Sequence, residues 1–331
     1  MANQNIEQLF HQMDEATKIV EQDLSEPYLD SLAVVFEYLL FEELPSNAHD
    51  MFSHKFKEAL NGIDIDELTV EQKKKLIELL ILKGMKDSTQ PQHLLTPETI
   101  GLFISYLVNK LLEGKKHIRI FDPACGTAHL LTTVLGQWEH EYAAYGSEVD
   151  PTLIRLAVNS ANLQKMEIEF FHQDSLRPFL LDPVDVVVAD LPVGYYPDDI
   201  IAESYELKAK EGHSYAHHLF IEQSLNYSKE GAYLFFLVPE FLFDSDQAEQ
   251  LNSFIHKHAH IVGVIRLPEN AFRSKKNVKS IFIIQKKGEG TKAPQQPLLA
   301  MLPSFEDTQG MENILSQMND WFITYHEKRK S

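Results

Sequence analysis

Apolar residues recur at helical spacing through the first ninety positions of the chain. In "IEQLFHQMDEATKIVEQ", Ile6, Leu9, Phe10, Met13, Ala16, Thr17 and Val20 fall on one face, which predicts an amphipathic helix. "EPYLDSLAVVFEYLLFEEL", opening at Pro27 and stopping before Pro45, predicts a second. "HDMFSHKFKEAL" and "VEQKKKLIELLILKGM" predict two more, with Gly62 and Gly84 placed where helices would stop.

From about residue 93 the period changes. Short β-rich runs alternate with helical stretches: "HIRIFD", "EYAAYGSE", "IEFFHQD", "DVVVAD", "AYLFFLVP", "IVGVIRLP" and "SIFIIQKK" read as strands. "TPETIGLFISYLVNKLL", "TAHLLTTVLGQW" and "PTLIRLAVNSANLQ" read as helices, and "MENILSQMNDWFITYHEKRK" as a closing one. Such alternation predicts an α/β fold, a seven-stranded, mainly parallel sheet with helices on both faces. Two regions follow: an α-helical N-terminal domain over 1–90 and an α/β domain over 91–331.

Composition narrows the function classes. At 331 residues and 44% hydrophobic, the chain can bury a large core. A formal net charge of −19 argues against coating nucleic acid with the whole surface. One basic cluster stands out in "RLPENAFRSKKNVKS", where Arg266, Arg273, Lys275, Lys276 and Lys279 offer a phosphate-backbone contact or a solvated hairpin. The single cysteine, Cys125, excludes an intrachain disulfide and a multi-cysteine zinc site, and fits a reducing, cytoplasmic setting. The alternating histidines of "HKHAH" have no carboxylate cluster beside them, so no metal is expected. No basic-then-apolar leader opens the sequence, and the most apolar helical stretch, "LAVVFEYLLF", is short and carries Glu37, so no membrane span is expected.

In open α/β sheets, ligands sit at the carboxyl ends of the strands. The first strand runs into "FDPACGTAHLL", where Gly126 permits a tight turn and close ligand approach. A dinucleotide site would show G-x-G-x-x-G, and only one of those glycines is present. The second strand ends at Glu148, positioned to accept hydrogen bonds from ribose hydroxyls, and Asp150-Pro151 reads as a helix cap. After the third strand, Asp174 is placed to accept from an adenine exocyclic amine.

"FDPACGTAHLL" resembles the D-P-A-C-G-S-G-x-L-L loop of class I S-adenosylmethionine-dependent methyltransferases, specifically the adenine amino-methylating DNA methylases. "QHLLTPETI" upstream, and "AHHLFIEQSLNYSKEGAYLFFLVPEFLF" and "IVGVIRLPENAFRSKKNVKSIFIIQKK" downstream, resemble the modification subunits of type I restriction systems. The resemblance implies a Rossmann-like methyltransferase sheet and S-adenosylmethionine as cofactor. It implies that Asp122, Ala124, Gly126 and Thr127 form the cofactor loop, and that Thr96 and Pro97 help hold the methionine end. Glu148 would then bind the ribose, and Asp174 with Ser175 the adenine. Ala128 stands where that family usually has a second glycine. DNA and a separate specificity protein are the partners it implies.

The same resemblance puts the chemistry in the loop after "DVVVAD". Amino-methylating enzymes of this kind share an (Asp/Asn/Ser)-Pro-Pro-(aromatic) motif. An exocyclic amine is a poor nucleophile because its lone pair is delocalised into the ring. A side-chain oxygen and a backbone carbonyl accept its two hydrogens and free the lone pair for attack. Here the loop reads Asp190-Leu191-Pro192-Val193, with Asp190 and Pro192 retained. Val193 cannot stack on an extruded base, and Tyr195 or Tyr196 is expected to substitute if Gly194 lets the loop bend. The polar stretch "PDDIIAESYELKAKEGHSYAHH" reads as a lid or as an exposed acidic loop. RNA or a protein amide is an alternative acceptor, and a cofactor-binding protein without catalysis is the alternative from another class.

Overall fold

The computed structural model describes residues 5–46, 48–87, 95–272 and 277–330. Its sheet has eight strands in the order β3-β2-β1-β4-β5-β7-β6-β8. These are β1 (His117–Asp122), β2 (Glu141–Glu148), β3 (Ile168–His172), β4 (Val184–Asp190), β5 (Ser228–Pro239), β6 (Ala259–Arg266), β7 (Lys279–Lys286) and β8 (Leu298–Met301). β3, β2, β1, β4 and β5 run parallel, β7 runs antiparallel to both β5 and β6, and β8 lies parallel to β6.

Among the described residues the sheet has eight strands rather than the expected seven. β8 has four residues, too few for an alternating pattern to show in sequence. It docks because Gly263 on β6 has no side chain: a Cβ there would lie 2.8 Å from the Leu298 carbonyl oxygen.

The helices are α1 (Ile6–Leu24), α2 (Tyr28–Phe41), α3 (Asp50–Ala59), α4 (Val70–Asp87), α5 (Glu98–Leu111), α6 (His129–Leu135), α7 (Pro151–Leu163), α8 (Asp199–Ala202), α9 (Ala216–Asn226), α10 (Ala248–His258) and α11 (Thr308–Lys330). One sheet face buries Ile120, Val186, Val188 and Phe235 under Ile104 of α5, Leu131 of α6 and Phe322 of α11. The other face buries Phe121, Val187 and Phe236 under Ile221 of α9 and Ile255 of α10. Both faces of β4 are thus covered, which is why "VDVVVAD" is a continuous apolar run rather than an alternating one.

Helices α1 to α4 bury a separate cluster around Met13, Leu32, Phe36, Phe52, Phe56 and Leu76, which Leu156 and Leu163 of α7 join. Arg155 on α7 makes a two-pronged ion pair to Glu37 on α2, both contacts at 2.6 Å. Gly62 adopts a φ of +80° just beyond α3, but Gly84 is no helix stop. It lies inside α4, where a Cβ would approach Leu29 Cδ2 to 2.4 Å, so its role is close packing of α4 on α2. Among the described residues no helix is long and apolar enough to cross a membrane.

The polar stretch after β4 is packed rather than loose. Ala202, Tyr205 and Leu207 are buried, the Tyr205 hydroxyl donates to the Leu176 carbonyl at 2.5 Å, and Glu222 accepts from the amides of Glu206 and Leu207. Its ends are tied by Arg177 to Asp198 at 2.5 Å and by the Tyr196 amide to the Ser214 carbonyl at 2.8 Å.

Candidate active site

Because β1, β2 and β4 are parallel, their last residues Asp122, Glu148 and Asp190 reach one edge of the sheet, and Asp174 follows β3 at the same edge. Asp122 is fully buried and accepts the Ala124 amide at 3.1 Å. Burial pushes its carboxyl well above the usual range; the Ala124 hydrogen bond opposes that, and the charges of Glu148 and Asp190 add to the rise. Gly126, at a φ of +54°, donates its amide to Glu148 Oε2 at 2.9 Å. The other oxygen of Glu148 accepts the amides of Val149 at 2.8 Å and Asp150 at 2.9 Å. Asp150 caps α7, accepting from Thr152 and Leu153, both at 2.9 Å.

Thr127 is buried, and its hydroxyl oxygen has no hydrogen-bond partner among the described residues. Ala128 holds a left-handed φ of +61°, the conformation for which glycine is the ordinary choice. Asp174 accepts the Leu176 amide at 2.9 Å and the Tyr196 hydroxyl at 2.6 Å. The Ser175 hydroxyl turns back to the Pro123 carbonyl at 2.7 Å and braces the loop from behind. Cys125 is buried, and burial, with the charges of Asp122 and Glu148 adding, pushes its thiol up and disfavours the thiolate.

At the end of β4, Asp190 is held from two sides. The Thr96 hydroxyl donates to its Oδ2 at 2.9 Å, and the Lys279 ammonium contacts Oδ1. Thr96 therefore does not cap α5; Pro97 occupies that position without a side-chain cap, and its carbonyl accepts the amides of Ile100 and Gly101. Leu191 is buried with its amide on the Leu237 carbonyl at 3.2 Å, while Pro192 and Val193 are exposed. Gly194, at a φ of +130°, provides the bend. Beyond it the two tyrosines part. Tyr195 is exposed and stacks on Tyr215 at 4.9 Å, whereas Tyr196 enters the core and gives its hydroxyl to Asp174. Tyr196 is thus in no position to stack on a substrate.

Of the basic cluster, Arg266 pairs with Glu240 at 2.5 Å and Lys279 with Asp190, so neither is a free surface cation. Arg273, Lys275 and Lys276 lie outside the described residues. The histidines of "HKHAH" divide between α10 and β6, and no group of three metal ligands occurs among the described residues. The contact of Lys279 with Asp190 is absent from any sequence pattern. It exists because the antiparallel β7 brings its first residue to the carboxyl edge, opposite Pro239, while Leu237 pairs with Asp190. Tyr215 and the half-exposed Phe241, both in ring contact with the buried His217, are further rim residues that sequence reasoning missed.

A parallel sheet with one antiparallel strand between its fifth and sixth members, and carboxylates at successive strand ends, defines an S-adenosylmethionine-dependent methyltransferase. The N-6 DNA methylase family matches residues 86–328, and the YtxK N-terminal helical domain matches residues 7–85. Protein YtxK of Bacillus subtilis (strain 168) is 44% identical over 328 residues, covering 97% of this chain and 99% of that protein. A Listeria monocytogenes protein, reported as a candidate class I S-adenosylmethionine-dependent methyltransferase, is 41% identical with a TM-score of 0.91, covering 97% of this chain and 100% of that one. The methyltransferase subunit of a type I restriction-modification system from Streptococcus thermophilus shares the fold at 14% identity and a TM-score of 0.65, over 92% of this chain and 73% of that one. The chain belongs to the N-6 DNA methylase family, and its cofactor is S-adenosylmethionine. The residues present fit that cofactor: the orphaned Thr127 hydroxyl and the carboxylates of Asp122, Glu148 and Asp174 suit a ligand with a cationic head, ribose hydroxyls and an adenine amine.

Proposed function

We propose that the protein methylates an exocyclic amine of the adenine type, in DNA, by direct transfer at Asp190. The observation that carries this is the position of Asp190 at the end of β4, beside the cofactor carboxylates and followed by Leu191 and Pro192. In this reading Asp122, Ala124, Gly126 and Thr127 line the cofactor loop, Glu148 takes the ribose, Asp174 takes the adenine amine with Ser175 bracing the loop, and Thr96 and Pro97 adjoin the methionine end. S-adenosylmethionine, when bound, supplies an electrophilic methyl group on sulfur.

Asp190 accepts one hydrogen of the acceptor amine, and the Leu191 carbonyl accepts the other. That draws the nitrogen toward tetrahedral geometry and exposes its lone pair. Pro192 restricts Leu191 to an extended backbone, which aims that carbonyl. Tyr195, stacked on Tyr215 beside the Gly194 bend, supplies an aromatic surface in place of Val193. The family, the acidic composition and the type I structural neighbours support a cytoplasmic enzyme that relies on a separate protein to read DNA sequence. Residues 1–90 serve as the helical partner domain and 91–331 as the transferase.

A second reading, a cofactor-binding protein without catalysis, is favoured by one observation: Lys279 already occupies an oxygen of Asp190. Labelled methyl transfer from S-adenosylmethionine to separate DNA, RNA and protein fractions decides between them. Label in DNA supports the first reading. Label in RNA or protein changes the acceptor, and binding of the cofactor without transfer to any fraction supports the second.

A further inference from the structure

Lys279 has a place in the acceptor site that its sequence context does not announce. Its ammonium sits on Asp190 Oδ1, while Thr96 holds Oδ2 from the opposite side. An acceptor amine that hydrogen-bonds to Asp190 therefore meets a nitrogen cation already there. Lys279 is only partly exposed, at 22% for its side chain, and Asp190 similarly at 20%. An ammonium displaced from its carboxylate in such a place requires a new acceptor, because an unpaired, half-buried charge is costly.

We propose that Lys279 is a specificity-determining residue that reads the ring nitrogen beside the amine to be methylated. This rests on the adenine reading above. In adenine the acceptor N1 adjoins the exocyclic N6. With N6 donating to Asp190, N1 faces the side on which Lys279 stands and gives the ammonium the acceptor it lost. Asp190 and Lys279 together match the donor-acceptor order of that edge. Val193 offers no ring of its own, so hydrogen bonds at the base edge add to the stacking that Tyr195 supplies. Lys279 can fill this role because β7 is antiparallel, which puts the strand's first residue at the same edge as the last residue of β4. A surface phosphate contact would not require a carboxylate partner at that position.

The test uses the full chain with its cofactor pocket saturated by S-adenosylhomocysteine, so that free bases report only on the acceptor site. Adenine and 1-deazaadenine, which has a carbon in place of N1, are titrated by ligand-observed NMR against wild type, Lys279→Met, Lys279→Gln and Asp190→Ala. Wild type is expected to bind adenine at least about tenfold more tightly than 1-deazaadenine. Both Lys279 variants are expected to bind the two bases equally while retaining S-adenosylhomocysteine, which shows that they are folded. Equal binding of the two bases by wild type, or a preference that survives in both variants, overturns the role of Lys279 and leaves the adenine reading standing. Absence of any adenine binding that Asp190→Ala removes overturns the adenine reading itself, and the inference with it.

Discussion

The hydroxyl of Thr96 and a carboxylate oxygen of Asp190 lie 2.9 Å apart across 94 residues of sequence. This bond joins the segment preceding α5 to the last residue of β4, so in the proposed site one threonine would link the cofactor side to the acceptor side. Replacing it by valine keeps the shape and removes the donor. We expect Thr96→Val to lower methyl transfer about tenfold, the scale of one hydrogen bond to a charged group. Thr96→Ser should restore most of it. Equal rates for wild type and Thr96→Val would separate the two halves of the site.

Glu148 holds the loop and is proposed to hold the ribose as well. Its carboxylate accepts three backbone amides, from Gly126, Val149 and Asp150. Glu148→Ala is expected to weaken S-adenosylmethionine binding by at least about tenfold, and to cost at least about 2 kcal/mol of stability through the amides left unpaired. Calorimetry and thermal unfolding read the two effects separately. Unchanged affinity would remove Glu148 from the cofactor site.

Gly84 gives a stability prediction of unusual sign. Glycine to alanine inside a helix ordinarily stabilises by about 1 kcal/mol. Here the added methyl would sit 2.4 Å from Leu29 Cδ2 and 2.7 Å from Tyr28 Cδ1, both on α2 or its first turn. Gly84→Ala is therefore expected to destabilise by about 1–3 kcal/mol in denaturant unfolding. A stabilised variant would mean that α4 and α2 are not so close.

Three buried imidazoles contribute to the acid limb of the stability curve, alongside ion-paired carboxylates such as Asp14 and Glu37. Burial lowers His129 to about 4, His217 to about 3 and His218 to about 4, with the neighbouring His218 adding to the shift of His217 and Glu78 opposing that of His129. In the unfolded chain each binds its proton near pH 6.5. Their stabilisation is fully present above that value and is lost as pH falls toward the folded values, since the unfolded chain then binds more protons. Asp122 acts the other way, because its raised folded value keeps its proton to higher pH than in the unfolded chain. The prediction is thus differential. Between pH 6 and 4, His217→Leu should flatten the slope of unfolding free energy by up to one proton, about 1.4 kcal/mol per pH unit. An unchanged slope would mean that His217 already takes its proton in the folded state.

The elements were largely legible along the chain, because period and length distinguish helices such as "IEQLFHQMDEATKIVEQ" from strands such as "HIRIFD". The strand-end positions of Asp122, Glu148 and Asp190 followed from the same reading, since parallel strands bring their carboxyl ends together. Sequence did not reveal what depends on strand order. Lys279 read as one of five clustered cations, and only the antiparallel course of β7 takes it to Asp190. Tyr195 and Tyr196 are neighbours in sequence with opposite fates, because the bend at Gly194 exposes one ring and the core takes the other. Gly84 looked like a helix stop, yet its cause is a neighbouring helix that local sequence does not contain.

The most direct measurement is transfer of a labelled methyl group from S-adenosylmethionine to DNA free of adenine methylation, by wild type and by Asp190→Ala in parallel, with cofactor affinity measured on both. Label is expected on the adenine amino nitrogen with wild type, and a rate at least about a hundredfold lower with Asp190→Ala. Cofactor affinity should agree within about threefold, a difference of less than 1 kcal/mol. Equal transfer by the two proteins, or no transfer by a wild type that binds the cofactor, would contradict direct transfer at Asp190.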